Sequence, residues 1–137
     1  MRIGTLRRGR GQDAGPGVSG TVRLDRRTKN LTKRLQPGDI AVIDHVDIDR
    51  VSADALVGCR VAAVVNAAPS ISGRYPNLGP EILINAGITL LDDVGKDVFA
   101  RVKEGAHLRL DGNQLLTDEG EVLAEGACTT GPRSRWR

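Results

Sequence analysis

Five consecutive apolar residues, Val61-Ala62-Ala63-Val64-Val65, constrain this chain more than any other stretch. A strand covered on one face alternates apolar and polar side chains; an unbroken apolar run needs cover on both faces. The run therefore predicts the centre of a sheet with a layer on either side. The flanking patterns supply those layers. Upstream, Thr21-Val22-Arg23-Leu24 alternates as a short strand, Asp25 is placed to cap a helix carrying Leu31 and Leu35, and Pro37-Gly38 stops it. Ile40-Ala41-Val42-Ile43 is a second compact strand, followed by a helix over 47–57 with Asp47 as its cap, Ile48, Val51, Ala55 and Leu56 on one face, and Gly58 at its end. Downstream, Pro80 opens a helix that closes around Gly87, a strand runs over 88–91, and a helix over 94–103 stacks Val94, Val98, Phe99 and Val102. From Gly105 the period falls to two: strands over 107–110, 114–117 and 121–123 are joined by Asp111-Gly112-Asn113 and Asp118-Glu119-Gly120, which is hairpin turn chemistry. The predicted fold is α/β, a mixed sheet with flanking helices and a small antiparallel β edge.

The 137 residues suit one domain. Aromatics make up only 2%, so Val, Ile, Leu and Ala must build the core, and stacking platforms for single-stranded nucleic acid are disfavoured. No apolar run reaches the roughly 18 residues of a membrane span, and no apolar segment follows Arg7, Arg8 and Arg10. Cys59 and Cys128 are far apart, without a CxxC or a nearby His pair, which gives no zinc or disulfide framework and suits a reducing cytoplasm. The net charge of +3 conceals segregation: residues 1–34 carry ten Lys/Arg against Asp13 and Asp25, whereas 35–130 carry seven basic against fifteen acidic residues. Residues 1–17, rich in Gly and Arg, are expected to form a disordered basic arm. Two readings of the arm stay open, a solvated segment or a contact to acidic lipid, nucleic acid or an acidic partner face.

The segment over 66–79 is long for a connection in a compact domain. It leaves the end of the central strand for a helix N-terminus, where free N–H groups and the helix dipole favour an anion, and Arg74 adds a guanidinium fork suited to phosphate or carboxylate. The candidate ligand-binding residues are Asn66, Ser70, Ser72, Gly73, Arg74 and Asn77. The competing reading is that Asn66, Ser70 and Ser72 only satisfy backbone groups of a long turn. No P-loop pattern is present.

Together, Gly38-Asp39-Ile40-Ala41-Val42-Ile43-Asp44-His45, Ser52-Ala53-Asp54-Ala55-Leu56, Val64-Val65-Asn66-Ala67-Ala68-Pro69 and the run SISGRYPNLGP over 70–80 carry a family resemblance. Residues 18–126 resemble the N-terminal region of the SteA-like family, actinobacterial proteins linked to the cytokinetic ring and labelled thiamine-pyrophosphokinase-like. The resemblance implies a non-catalytic binding or interaction domain in cell division or cell separation, with a small phosphorylated or other anionic ligand and a division-protein partner. It also implies that the kinase-like domain of the family is missing, and that the ending over 127–137, with Trp136 and three Arg in its last five residues, is a disordered or aberrant tail. The alternative it carries is a part of a thiamine-pyrophosphokinase-like nucleotide-binding enzyme. The element order is similar also to the swivelling phosphohistidine domain, a β/β/α fold; there Asn77 stands where the phosphorylated His would be, and an amide is no nucleophile.

The remaining titratable groups offer no catalytic residue and no metal or cofactor site. His45 has Asp44, Asp47 and Asp49 close in sequence, an arrangement of base or switch type set against simple capping by Asp47. His107 belongs to an alternating strand and is expected to face solvent. Asp92-Asp93 reads as a cap before Val94, and neither Ser70 nor Ser72 sits in a GxSxG elbow.

Overall fold

The computed structural model describes residues 17–70 and 79–129. Its strands are β1 (Val18–Leu24), β2 (Ile40–Ile43), β3 (Ala63–Asn66), β4 (Thr89–Asp92), β5 (His107–Asp111), β6 (Gln114–Thr117), β7 (Val122–Glu125) and β8 (Ala127–Thr129). The helices are α1 (Thr28–Leu31), α2 (Arg50–Gly58), α3 (Gly79–Asn85) and α4 (Val98–Arg101). The fold is α/β with one eight-stranded mixed sheet, ordered β7-β6-β5-β1-β2-β3-β4-β8. Strands β1 to β4 are parallel neighbours, β5 to β7 continue antiparallel from β1, and β8 pairs antiparallel with β4.

Strand alternation sorts the core into two layers. Ala41, Ile43, Val64 and Leu90 face α1, α2 and α3 through Leu31, Leu35, Ile48, Ala53, Leu56 and Leu83. Ile40, Val42, Val65 and Leu91 face the other way, into a cluster with Val98 and Val102 around α4 and with Leu108, Leu110, Leu115 and Ala124 of the antiparallel strands. Helices α1, α2 and α3 lie on one face, as parallel crossovers of one hand that advance the sheet in the same direction require, and α4 lies on the other. The antiparallel strands extend the edge of the sheet and fold over its second face. Each fully buried Leu or Ile in these layers contributes about 1.5–3 kcal/mol.

Two strands turn the corner between the layers. The first half of β1 pairs with β5 and its second half with β2. At the far side only Gly126 separates β7 from β8, although the two stand at opposite ends of the strand order. One bent strand thus spans from β6 to β4. A Cβ at Gly126 would lie 2.1 Å from the Asp92 carbonyl oxygen, so glycine is required where the strand crosses β4. Pairing of Leu91 with Cys128 and of Asp92 with Ala127 places 127–129 in the sheet, six residues past the expected last strand end at Leu123. The apolar count there is too low to announce a strand, and the pairing partner lies far away in sequence. The arm up to residue 16 and the tail from 130 lie outside the described residues.

Local expectations are corrected at α2 and α4. The cap of α2 is Asp49, whose Oδ1 accepts from Ser52 N at 3.2 Å, and not Asp47, which turns the chain at φ +54°. That shift rotates the helix so that Ala53 and Leu56 are buried while Val51 is 75% exposed. Helix α4 starts only at Val98, because Asp93 at φ +56° and a turn at Lys96-Asp97 hold the preceding residues out of helical geometry. Its two apolar contacts survive, since Val98 and Val102 are one turn apart.

Candidate binding site at the strand ends

In parallel α/β sheets the connections beyond the carboxyl ends of the strands form the usual ligand crevice. Here those ends bring together Asp25-Arg26-Arg27 after β1, Asp44-His45-Val46 after β2, Asn66 closing β3 and Asp92 closing β4.

Asn66 organises this end. It is fully buried. Its Nδ2 donates to the His45 carbonyl at 2.9 Å and to Ser70 Oγ at 2.8 Å. Its Oδ1 accepts from His45 N at 3.0 Å and Ala68 N at 3.1 Å. A carboxamide has two N–H donors and two lone pairs, so all its capacity is used. Ser70, also fully buried, donates from Oγ to Asp92 Oδ1 at 2.6 Å and from its backbone N–H to the same oxygen at 2.9 Å. Backbone bonds add to the clamp: Asp47 N and Ile48 N donate to the carbonyls of Pro69 and Ser70, and Val94 N and Gly95 N to those of Asn66 and Ala67. The first residues of the long connection are therefore held between the loops that follow β2 and β4. Asn66 and Ser70 act as positioning residues whose side chains point into the protein. Ser72, Gly73, Arg74 and Asn77 lie outside the described residues.

Beside this clamp lies an open cleft of about 480 Å³. Arg26 and Arg27 of the β1–α1 connection and Thr28 and Lys29 of α1 line one side, and Asp44, His45 and Val46 of the β2–α2 connection and Ser52 of α2 the other. His45 joins the two sides, with Nδ1 2.9 Å from Thr28 Oγ1 and Nε2 3.7 Å from Asp49 Oδ1. The Ser52 hydrogen bond and the nearby His45 hold the Asp49 carboxyl below the usual carboxylate range, against the opposing effect of partial burial. Asp44 is answered by Lys96 at 3.9 Å, and the Arg26 guanidinium rests 5.0 Å above the centroid of Phe99.

The remaining candidates fall elsewhere. His107 is exposed on the hairpin and sits 3.2 Å from Asp118. Among the described residues, no three His, Cys, Asp or Glu side chains converge as a metal site, and no helix is long and apolar enough to cross a membrane.

Sequence reasoning missed Asp92 and the cationic cleft. Asp92 reads locally as a cap, and its bond to Ser70 spans 22 residues with no local pattern to betray it. Arg26, Arg27 and Lys29 were legible as a basic cluster directly after a strand, but in a charge count they merge with the arm. No protein-family model, curated protein or solved structure matches the chain.

Proposed function

We propose that this chain is a non-catalytic binding domain of the SteA-like kind, serving cell division or cell separation in the cytoplasm. On this reading it holds a small phosphorylated or otherwise anionic ligand at the connection following β3 and presents the liganded surface to a division-protein partner. The observation that carries the proposal is the clamp of Asn66, Ser70 and Asp92. Three buried or half-buried polar side chains fix where a long connection leaves the sheet, at the end of the fold where ligands bind. Such an arrangement restricts the connection before any ligand arrives and lowers the ordering cost of binding. Two free cysteines agree with a reducing compartment.

Calorimetry with inorganic phosphate, pyrophosphate and nucleotides tests the proposal. Binding should be measurable and weakened about tenfold by Arg74→Ala, the loss of one charge-assisted hydrogen bond pair. Equal, negligible heats for wild type and variant across all of these ligands would remove it. Incubation with labelled ATP or phosphoenolpyruvate, with and without thiamine, should leave no label on the protein and form no thiamine diphosphate.

A further inference from the structure

The cleft beside the β1–α1 and β2–α2 connections gathers three cations, Arg26, Arg27 and Lys29, in one lining. Several arginines elsewhere are matched, Arg23 with Asp39 and Glu104, Arg34 with Glu104 and Asp25, Arg50 with Asp54, while Arg60, Arg101 and Arg109 stand singly on other parts of the surface and make no ion pair with a described carboxylate. Within the cleft the carboxylates are the matched groups. Asp44 has Lys96, and Asp49 beside it has Ser52 and His45. Neither the Arg27 guanidinium nor the Lys29 ammonium makes an ion pair with a described carboxylate, and Arg26 is spent on the face of Phe99, which fixes its position without neutralising it. Three cations thus converge on a concave surface whose acids are already satisfied. The three lining cations outnumber the one lining carboxylate, Asp44, so the potential there is net positive.

The size and the rest of the lining narrow the ligand. A volume of about 480 Å³ falls within the range of small-molecule sites, roughly 300–1,000 Å³, and exceeds what one phosphate group fills. Beyond the cations the lining has the Asp44 carboxylate, which keeps lone pairs beside its 3.9 Å contact with Lys96 and can accept from a hydroxyl-bearing body, and the Ser52 hydroxyl, which bonds Asp49 and keeps accepting capacity; the Thr28 hydroxyl is buried and engaged with His45 Nδ1. Ser52 also belongs to the first turn of α2, whose dipole adds favourable potential for an anion. We infer that this cleft is a binding site for a small phosphomonoester carried on a polar, hydroxyl-bearing body, with Arg27 and Lys29 contacting the phosphate and Arg26 held by Phe99 as the fixed third charge. The inference rests on the anion-binding reading above but locates the anion in the cleft, independently of Arg74. The Asn66 amide bonds both the N–H and the carbonyl of His45, so the cleft wall and the root of the following connection share one residue.

The test is a titration of the whole chain with inorganic phosphate and with ribose 5-phosphate, followed by amide shifts in ¹H–¹⁵N spectra and by calorimetry. The amides of Arg27, Lys29 and Val46 should move, and ribose 5-phosphate should bind more tightly than inorganic phosphate. Arg27→Gln and Lys29→Gln, both exposed and so without effect on folding by circular dichroism, should each raise Kd about tenfold. Lys33→Gln, on the turn after α1 and outside the lining, should leave Kd unchanged. Shifts confined to other amides, wild-type affinity in both cleft variants, or no advantage of the ester over the free ion would overturn the inference. If Arg74→Ala abolishes binding while the two cleft variants bind normally, the cleft assignment falls and the reading of the β3 connection stands. The reverse pattern leaves the cleft standing and removes that reading.

Discussion

Ser70 gives Asp92 two hydrogen bonds on one carboxylate oxygen, from Oγ at 2.6 Å and from the backbone N–H at 2.9 Å. The chain that has just left β3 is thereby fastened to the last residue of β4. Removing the acceptor takes two hydrogen bonds from a fully buried residue, and bonds to a charged acceptor are worth more than neutral ones. Asp92→Ala should destabilise the fold by about 2–3 kcal/mol. Asp92→Asn, which retains an oxygen in place, should cost about 1 kcal/mol. Urea denaturation of the three proteins measures the difference.

Asn66→Asp makes a sharper test. The substitution removes both donors of a fully buried amide and sets a carboxylate against the His45 carbonyl and Ser70 Oγ. Burial disfavours the charged form, so the new carboxyl has a folded-state pKa raised above its unfolded value. Its neutral form can donate one bond, so stability is retained below the unfolded pKa and lost as pH rises through the folded one. At pH 7 the variant should be about 3 kcal/mol less stable than wild type, with much of the gap closing toward pH 4. A gap independent of pH would mean that shape, and not hydrogen-bond polarity, makes Asn66 necessary.

At Gly126 the obstruction is backbone: an added Cβ meets the Asp92 carbonyl at 2.1 Å and Val94 Cγ1 at 2.8 Å. A carbonyl in a paired strand cannot swing aside as a side chain can. Gly126→Ala should therefore cost about 3 kcal/mol, the upper end of overpacking penalties. Gly58 closes α2 with open space around its Cα, so Gly58→Ala should be neutral or stabilising by about 0.5 kcal/mol. Thermal melts of the pair give the contrast directly.

Glu104 supplies an acid-sensitive link. Burial pushes its carboxyl up, but the bond from Leu24 N and the guanidinium groups of Arg34 and Arg23 together hold it below the usual carboxylate range. A depressed folded-state pKa contributes stability that is present above the unfolded pKa and is lost as pH falls through the folded value. Since the side chain is 36% exposed, solvent screens much of the effect, and Glu104→Gln should cost about 1 kcal/mol at pH 7. Below about pH 4 wild type and variant should converge. Guanidine titrations in urea-free buffer at two pH values decide it.

The parts of this fold that local rules govern are readable in the sequence. The run at 61–65 placed β3 within two residues, because its side chains are buried from both faces and need no distant information, although β3 stands sixth of the eight strands and not at the centre of the order. The hairpin turn chemistry at Gly112 and Gly120 placed β5 and β6 for the same reason. Asp49 and Asp47 are equally good caps on paper; the choice between them is made by the bonds from Asp47 N and Ile48 N to Pro69 and Ser70, which belong to another loop. Val51 was assigned to the wrong face as a result. Of the candidate site, Asn66 and Ser70 read from the sequence as ligand-binding residues, yet their bonds run inward, and that direction depends on Asp92, two elements away.

The bent strand through Gly126 sets when the fold can be completed. Pairings of Val18 with Leu110 and of Leu91 with Cys128 are non-local, so contact order is high and the entropy of closing large loops is spent before these contacts repay it. Until Thr129 has docked, β4 presents an unpaired row of amides and carbonyls, and β6 does the same on the other side. The sheet is thus closed by a short segment of low intrinsic strand preference. Topology of this kind predicts slow folding, and it makes the seam the place where an incompletely paired chain would expose strand edges to another like itself.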